Sequence, residues 1–333
     1  MIGGAARAAL AVLALCAACA ATLGGTLSAF NVSSTTPSAS FTAAPDWTAP
    51  TVSAAVIGRT TAYDTGYIKQ SASYYVYADV TDTGNPASGT ESVTANVDTT
   101  TSAHPAVALV AGSYTAGGAT YNYRTAALTA NSTLAAGSYA YTITSTDKAA
   151  NSETQSFTVT VDNTAPAASD VQSTNVSGGT VGHLDQGDTL TLTYNGVIDP
   201  YSILSSWSGA STKVQVALVD GGNSANDSIY VYNTESTPIQ IPVGVVDLGS
   251  RSYLTTGSGQ YVVYGAPGTA TPSTMAQSGS SIVITLGTPG GTSATSTAHA
   301  AMVWTPSTSA TDIAGNAVSA NTATQTGTTH VNF

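Results

Sequence analysis

The chain has 333 residues and a formal net charge of -11, yet only 8% of its residues are Asp, Glu, Lys or Arg, against roughly 25% in an ordinary soluble domain. Its seven basic residues are scattered, which excludes nucleic acid as a partner, because neutralising a phosphate backbone needs clustered Lys and Arg. The length allows two ordinary domains, and abundant small and β-branched residues favour strands and turns over helices.

The N-terminus reads as an export signal. Arg7 precedes an apolar run from Ala8 to Leu23, AALAVLALCAACAATL, which is short for a spanning helix and suits the helical core of a signal peptide. The alternative is a retained N-terminal anchor. The following stretch, GGTLSAFNVSSTTPSASFTAAPDWTAP, resembles the cleavage region of Gram-positive exported proteins with a SipW-type signal peptide. The resemblance implies a signal peptide over 1–29, cleavage between Ala29 and Phe30, and a flexible Ser/Thr/Ala-rich linker over 30–47. Leu27 stands where that family carries tyrosine. Cys16 and Cys19 are the two cysteines and both lie in the signal, so the exported chain has no disulfide, thiol nucleophile or thiolate metal site.

A first domain is expected over 48–163. In SYYVYADV, Tyr74, Val76, Ala78 and Val80 share one face, and Tyr75, Tyr77 and Asp79 share the other. TVSAAVI, ESVTANVD, VALVAG, YNYRTAA, GSYAYTITSTD and QSFTVTVD complete about seven short strands, the number and spacing of a sandwich. Thr48-Ala49-Pro50 returns as Thr164-Ala165-Pro166, and Asp147-Lys-Ala-Ala-Asn151 returns as Asp312-Ile-Ala-Gly-Asn316. Proline lacks a donor and extends its predecessor, so each Thr-Ala-Pro ends one ladder and opens another. The two echoes occur in the same order and read as two related units.

Residues 137–166 resemble the ending of bacterial immunoglobulin-like domains from secreted and surface proteins: Gly-x-Tyr, a strand, Asp-x-Ala-Gly-Asn, a strand, then Asp-Asn-Thr-Ala-Pro. Ala150 stands in place of the glycine. The resemblance implies an all-β fold of two tandem immunoglobulin-like β-sandwiches. It places Tyr139 where such domains keep a tyrosine corner, the alternative being a plain core aromatic. The second domain, 164–333, matches more loosely. GDTLTLTYNGVIDPYSI, SIYVYN, IQIPVGVV, YVVYG, SSIVITLG and AMVWTP supply strands, and its surplus length is expected as loops or an extra hairpin between Asp220 and Thr274.

No catalytic residue emerges. There is no Gly-x-Ser-x-Gly elbow, and His104, His183, His299 and His330 stand far apart in turn-like or terminal contexts. TPGGTSATST lacks the lysine of a phosphate loop and reads as a hairpin loop. Three glutamates offer little for paired-carboxylate hydrolysis. A secreted hydrolase would require a cleft with converging carboxylates. No organic cofactor is implied. Calcium is the one ion with oxygen ligands to hold it, at Asp79, Asp82, Asp147 and Asp162, with Asp185 and Asp188 a further close pair. Turn capping by isolated aspartates is the alternative. Tyr75 with Tyr77, and Tyr230 with Tyr232, form rows that can stack on sugar rings or a protein, or simply pair across strands.

The expectation is therefore a non-enzymatic secreted or cell-surface protein, a structural spacer or matrix component able to self-associate. The alternative is an adhesin or a module binding cell-wall or extracellular polysaccharide, or other surface proteins, through exposed tyrosines or second-domain loops. No Leu-Pro-x-Thr-Gly signal or C-terminal apolar span is present, so covalent wall attachment is not expected, and neither is membrane contact after processing. Retention at the surface would be non-covalent.

Overall fold

The computed structural model describes residues 46–255, 257–297, 300–327 and 333. The expected signal peptide, its cleavage site at Ala29 and Phe30, most of the linker, and His299 and His330 lie outside the described residues. The described chain is all-β apart from one short helix.

The first sheet contains β1 (Thr51–Arg59), β2 (Tyr67–Ile68), β3 (Ser73–Thr81), β4 (Thr90–Asn96), β5 (Val107–Ala116), β6 (Ala119–Thr125), β7 (Leu128–Thr129), β8 (Gly137–Asp147) and β9 (Ser152–Val161). Its order is β1-β3-β6-β5-β4-β8-β9-β2, with β7 beside β3. β5 turns the sheet back on itself: Leu109 to Ala116 pair with β6, while Val107 and Ala108 pair with β4. Alternation then places Tyr74, Val76, Ala78 and Val80 opposite Tyr141, Ile143, Val159 and Val161 in one core. Tyr141 stacks on Phe157 at 5.8 Å. The Tyr139 hydroxyl donates to the Ala135 carbonyl four residues back at 3.0 Å.

The second sheet contains β10 (Ala168–Thr174), β11 (Thr189–Tyr194), β12 (Thr212–Val219), β13 (Ser228–Tyr232), β14 (Gln240–Asp247), β15 (Tyr261–Tyr264), β16 (Ser273–Ser278), β17 (Ser281–Thr285), β18 (Val303–Thr305) and β19 (Ala323–Thr324), with helix α1 (Pro200–Ile203) after β11. Its order is β10-β11-β17-β16-β12-β13-β14-β18-β19. β15 adds to β12 off that path and accounts for part of the surplus expected between Asp220 and Thr274. β12 plays the part that β5 plays in the first sheet: Thr212 to Val214 pair with β16, and Gln215 to Val219 with β13. A separate core forms around Trp304, which meets Tyr194 edge-on at 4.7 Å.

The repeat seen in the sequence extends to local geometry. β1 pairs with β3 and β10 with β11, each antiparallel, and each first strand carries a bulge at the third residue after its proline, Ser53 or Ser169. The bulge serine donates to a carbonyl of the partner strand in both sheets, Asp79 O and Thr193 O.

Candidate functional site

Each Asp-x-Ala-x-Asn segment is a closed turn built the same way twice. Asn151 donates its backbone N–H and its amide to the two oxygens of Asp147 at 2.8 and 2.7 Å; Asn316 does so to Asp312 at 2.8 and 2.9 Å. The same amides then reach out to the aspartate that opens their unit, Asn151 to Asp46 O and Asn316 to Asp162 O. Asp46 and Asp162 also each accept the N–H two residues on, from Thr48 and Thr164. The turn therefore fastens the Thr-Ala-Pro segment to the end of its own sandwich.

In the first unit this geometry gathers three carboxylates. Asp46, Asp82 and Asp147 bring one oxygen each within 4.8 Å of one another. Of the four aspartates expected as calcium ligands, only Asp82 and Asp147 meet, and Asp46 joins them. Asp79 instead accepts from the Asn122 N–H, and Asp162 caps its own turn, because β3 and the end of β9 carry these side chains to other surroundings. The three clustered carboxylates already accept N–H bonds, from Thr48 and Ser88 to Asp46 and from Gly84 and Gly89 to Asp82. Those from Thr48 and Ser88 hold the Asp46 carboxyl below its ordinary pKa. Further along the chain, Asp185 and Asp188 meet in one loop, where Asp188 accepts the Asp185 N–H at 2.7 Å.

In the second unit a cation takes the corresponding place, and the first unit supplies it. Arg59, the last residue of β1, donates Nη2 to Asp199 Oδ2 at 2.6 Å and Nε to Ile313 O at 3.1 Å. Asp199 follows β11 as Asp82 follows β3, and also receives N–H bonds from Tyr63 and Tyr201. Asp199 is buried and Arg59 largely so, with side-chain exposures of 1% and 11%. Burial raises the pKa of Asp199 and lowers that of Arg59, so desolvation outweighs attraction for each partner. Tyr63 packs on Tyr201 at 5.2 Å beside this pair. Arg59 explains why the fourth residue of this turn is Gly315 where the first turn has Ala150. Gly315 has φ +94°, and a Cβ there would lie 2.5 Å from Arg59 Nη1. Ala150, at φ +68°, is exposed, which leaves room for its methyl.

The two tyrosine rows part company. Tyr77, expected on an open face, is buried against Tyr75 and Tyr121, and the Arg124 guanidinium lies over Tyr75 at 4.2 Å. β6 pairs beside β3 and brings Arg124 there, closing that surface. Tyr230 and Tyr232 lie on the outer face of β13, opposite the buried Ile229 and Val231. Tyr232, without Tyr230, lines an uncharged groove of about 390 Å³ with Gln215, Ala217, Pro238 and Tyr261. Gln215 is buried, its amide nitrogen held by Asn233 O at 2.9 Å.

One constellation escaped sequence reasoning. His183 Nδ1 lies 2.9 Å from Asp185 Oδ1, and its Nε2 lies 3.1 Å from Ser293 Oγ. Tyr264 donates its hydroxyl to the same Oγ at 3.0 Å. The serine and histidine are 110 residues apart in segments that read separately as turns. His-x-Asp at 183–185 and Gly-x-Ser at 291–293 were the available signals. The segments meet because Ser296 donates its N–H to Gly182 O and Ala294 to Tyr253 O, both at 2.7 Å.

Among the described residues no helix is long and apolar enough to cross a membrane. No family model matches the chain, and no curated protein does. Among solved structures, it is similar to the crystal structure of dimeric latent PorU from Porphyromonas gingivalis, with 17% identity and a TM-score of 0.23. That similarity covers 74% of this chain and 20% of the other, so the chain spans about one fifth of that protein's length.

Proposed function

We propose that this chain is an exported or surface-associated structural protein, a spacer or matrix component made of two immunoglobulin-like sandwiches in tandem. The observation that carries this reading is the buried Arg59–Asp199 pair, which ties the end of β1 to the second unit. The tyrosine-corner bond of Tyr139 supports the immunoglobulin-like kinship. A spacer must hold its length, and a desolvated, hydrogen-bonded junction resists bending more than a bare linker does. Small-angle scattering tests it: the full chain gives one narrow distance distribution and Arg59→Ala a broader, shorter one. A broad distribution from the unmutated chain would overturn it. Light scattering over a range of concentrations reports whether the spacer self-associates. Calcium would be held by two of the expected aspartates, Asp82 and Asp147, together with Asp46. A calcium-dependent rise in Tm that Asp82→Asn abolishes is the test.

A second reading rests on the groove beside Tyr232 and Tyr261. Two tyrosine faces, a fixed amide and no charge suit a neutral polysaccharide better than an anionic one. Titration with neutral hexasaccharides checks it, Tyr261→Ala being expected to weaken binding at least tenfold.

A further inference from the structure

We propose that Ser293, His183 and Asp185 form a nucleophilic triad that removes small uncharged acyl groups from esters carried on a polymer. The proposal goes beyond the spacer reading and stands or falls separately from it. It also departs from the expectation, drawn from sequence, that the chain is not an enzyme.

The hydrogen bonds set the protonation pattern. An ionised carboxylate only accepts, so His183 donates Nδ1–H to Asp185, and its Nε2 carries the lone pair that takes the Ser293 hydroxyl proton. That is the tautomer a general base beside a serine requires. Tyr264 is fully buried and burial pushes its pKa up to about 12, so it remains a donor. Its hydroxyl lies within reach of both Ser293 Oγ and Leu184 O, the residue after His183, and so ties the serine to the histidine loop as a positioning residue. Asp188 steadies the loop by accepting the N–H groups of Val176 and Asp185.

An acyl-transfer site also needs donors for the oxyanion. Gly290 and Ala294 spend their N–H groups on Val263 O and Tyr253 O. Among the described residues, the N–H groups of Gly291 and Ser293 donate to no protein acceptor. A nucleophile's own N–H and that of the glycine two residues before it form such a hole in the chymotrypsin-type arrangement. Gly291 and Thr292 are exposed and Ser293 half-buried, which lets a polymer-borne ester approach. The neighbouring Asp185 and the net charge of -11 disfavour an anionic acyl group.

In the reaction, Ser293 Oγ attacks the ester carbonyl while its proton passes to His183 Nε2. The tetrahedral adduct collapses, the acyl–alkoxy bond breaks, and Nε2 returns the proton to the departing alcohol. Water then attacks the acyl-serine, losing a proton to Nε2, and Oγ regains it as the acid leaves. The sum is ester plus water to acid plus alcohol, with no other reactant.

The test is covalent labelling of the full chain with a fluorophosphonate probe, followed by peptide mass spectrometry and by p-nitrophenyl acetate hydrolysis. One adduct is expected, on Ser293, and absent from Ser293→Ala. His183→Ala should label roughly 100-fold more slowly or worse, the usual loss of a general base. Asp185→Asn, which preserves shape but frees the wrong tautomer, should lose labelling with its thermal unfolding unchanged. No adduct on Ser293 in the folded chain, or equal labelling rates for the chain and His183→Ala, would overturn the proposal.

Discussion

Replacing Arg59 by alanine removes the cation from a junction that keeps Asp199 at 1% exposure. Breaking a buried pair by deleting one partner costs about 3–5 kcal/mol, since the remaining charge stays desolvated. Asp199 retains the N–H groups of Tyr63 and Tyr201 at 3.2 and 3.0 Å, which places the loss near the lower end, about 3 kcal/mol. For a unit of this size that lowers Tm by about 6–12 °C, read by scanning calorimetry on the second unit's transition. The double variant Arg59→Met/Asp199→Asn separates charge from contact. Burial already disfavours the charged form of each partner, so removing both charges should recover most of the loss. A shift under about 2 °C for Arg59→Ala would refute the reasoning. So would a double variant no better than the single one.

Three further outcomes are expected. Asn316→Ala and Asn151→Ala each remove an amide that bridges a carboxylate and a backbone carbonyl, and each should cost about 2 kcal/mol in urea unfolding; a large effect at one and none at the other would contradict the shared design. Gly315→Ala should destabilise by about 1–2 kcal/mol from its left-handed backbone alone, and more from displacing Arg59, whereas Ala150→Gly should be neutral or stabilising by up to about 1 kcal/mol, both measured by chemical denaturation. Burial pushes the phenols of Tyr141, Tyr194 and Tyr253 up, and that of Tyr264 to about 12. The folded chain thus holds these protons more tightly than the unfolded one: stability is intact below pH 10 and falls toward pH 12, by up to about 1.4 kcal/mol per pH unit for each tyrosine. Tyrosinate absorbance should therefore rise together with the unfolding transition rather than before it.

Much of the architecture was legible because it is local. The alternation in SYYVYADV assigns Tyr74 and Val76 to the core through a period of two, and proline fixes where β1 and β10 begin. The two Asp-x-Ala-x-Asn turns are also local, since their aspartate and asparagine lie four residues apart and bond to each other. Face assignment fails where a neighbour covers the outer side. Tyr75 and Tyr77 alternate as an open row would, yet β6 lays Arg124 over Tyr75 and packs Tyr121 on Tyr77.

The sequence by itself determined strand-forming segments, their facing residues, and a repeated unit joined at Asp162 to Pro166, because periodicity and turn chemistry act within a few residues. Only the tertiary structure decided which side chains meet. Asp46 joins Asp82 and Asp147 because the Asn151 amide draws the start of β1 to the turn after β8. Arg59 finds Asp199 across 140 residues, and His183 finds Ser293 across 110. Such pairings depend on strand order and loop closure, and sequence spacing carries no trace of either.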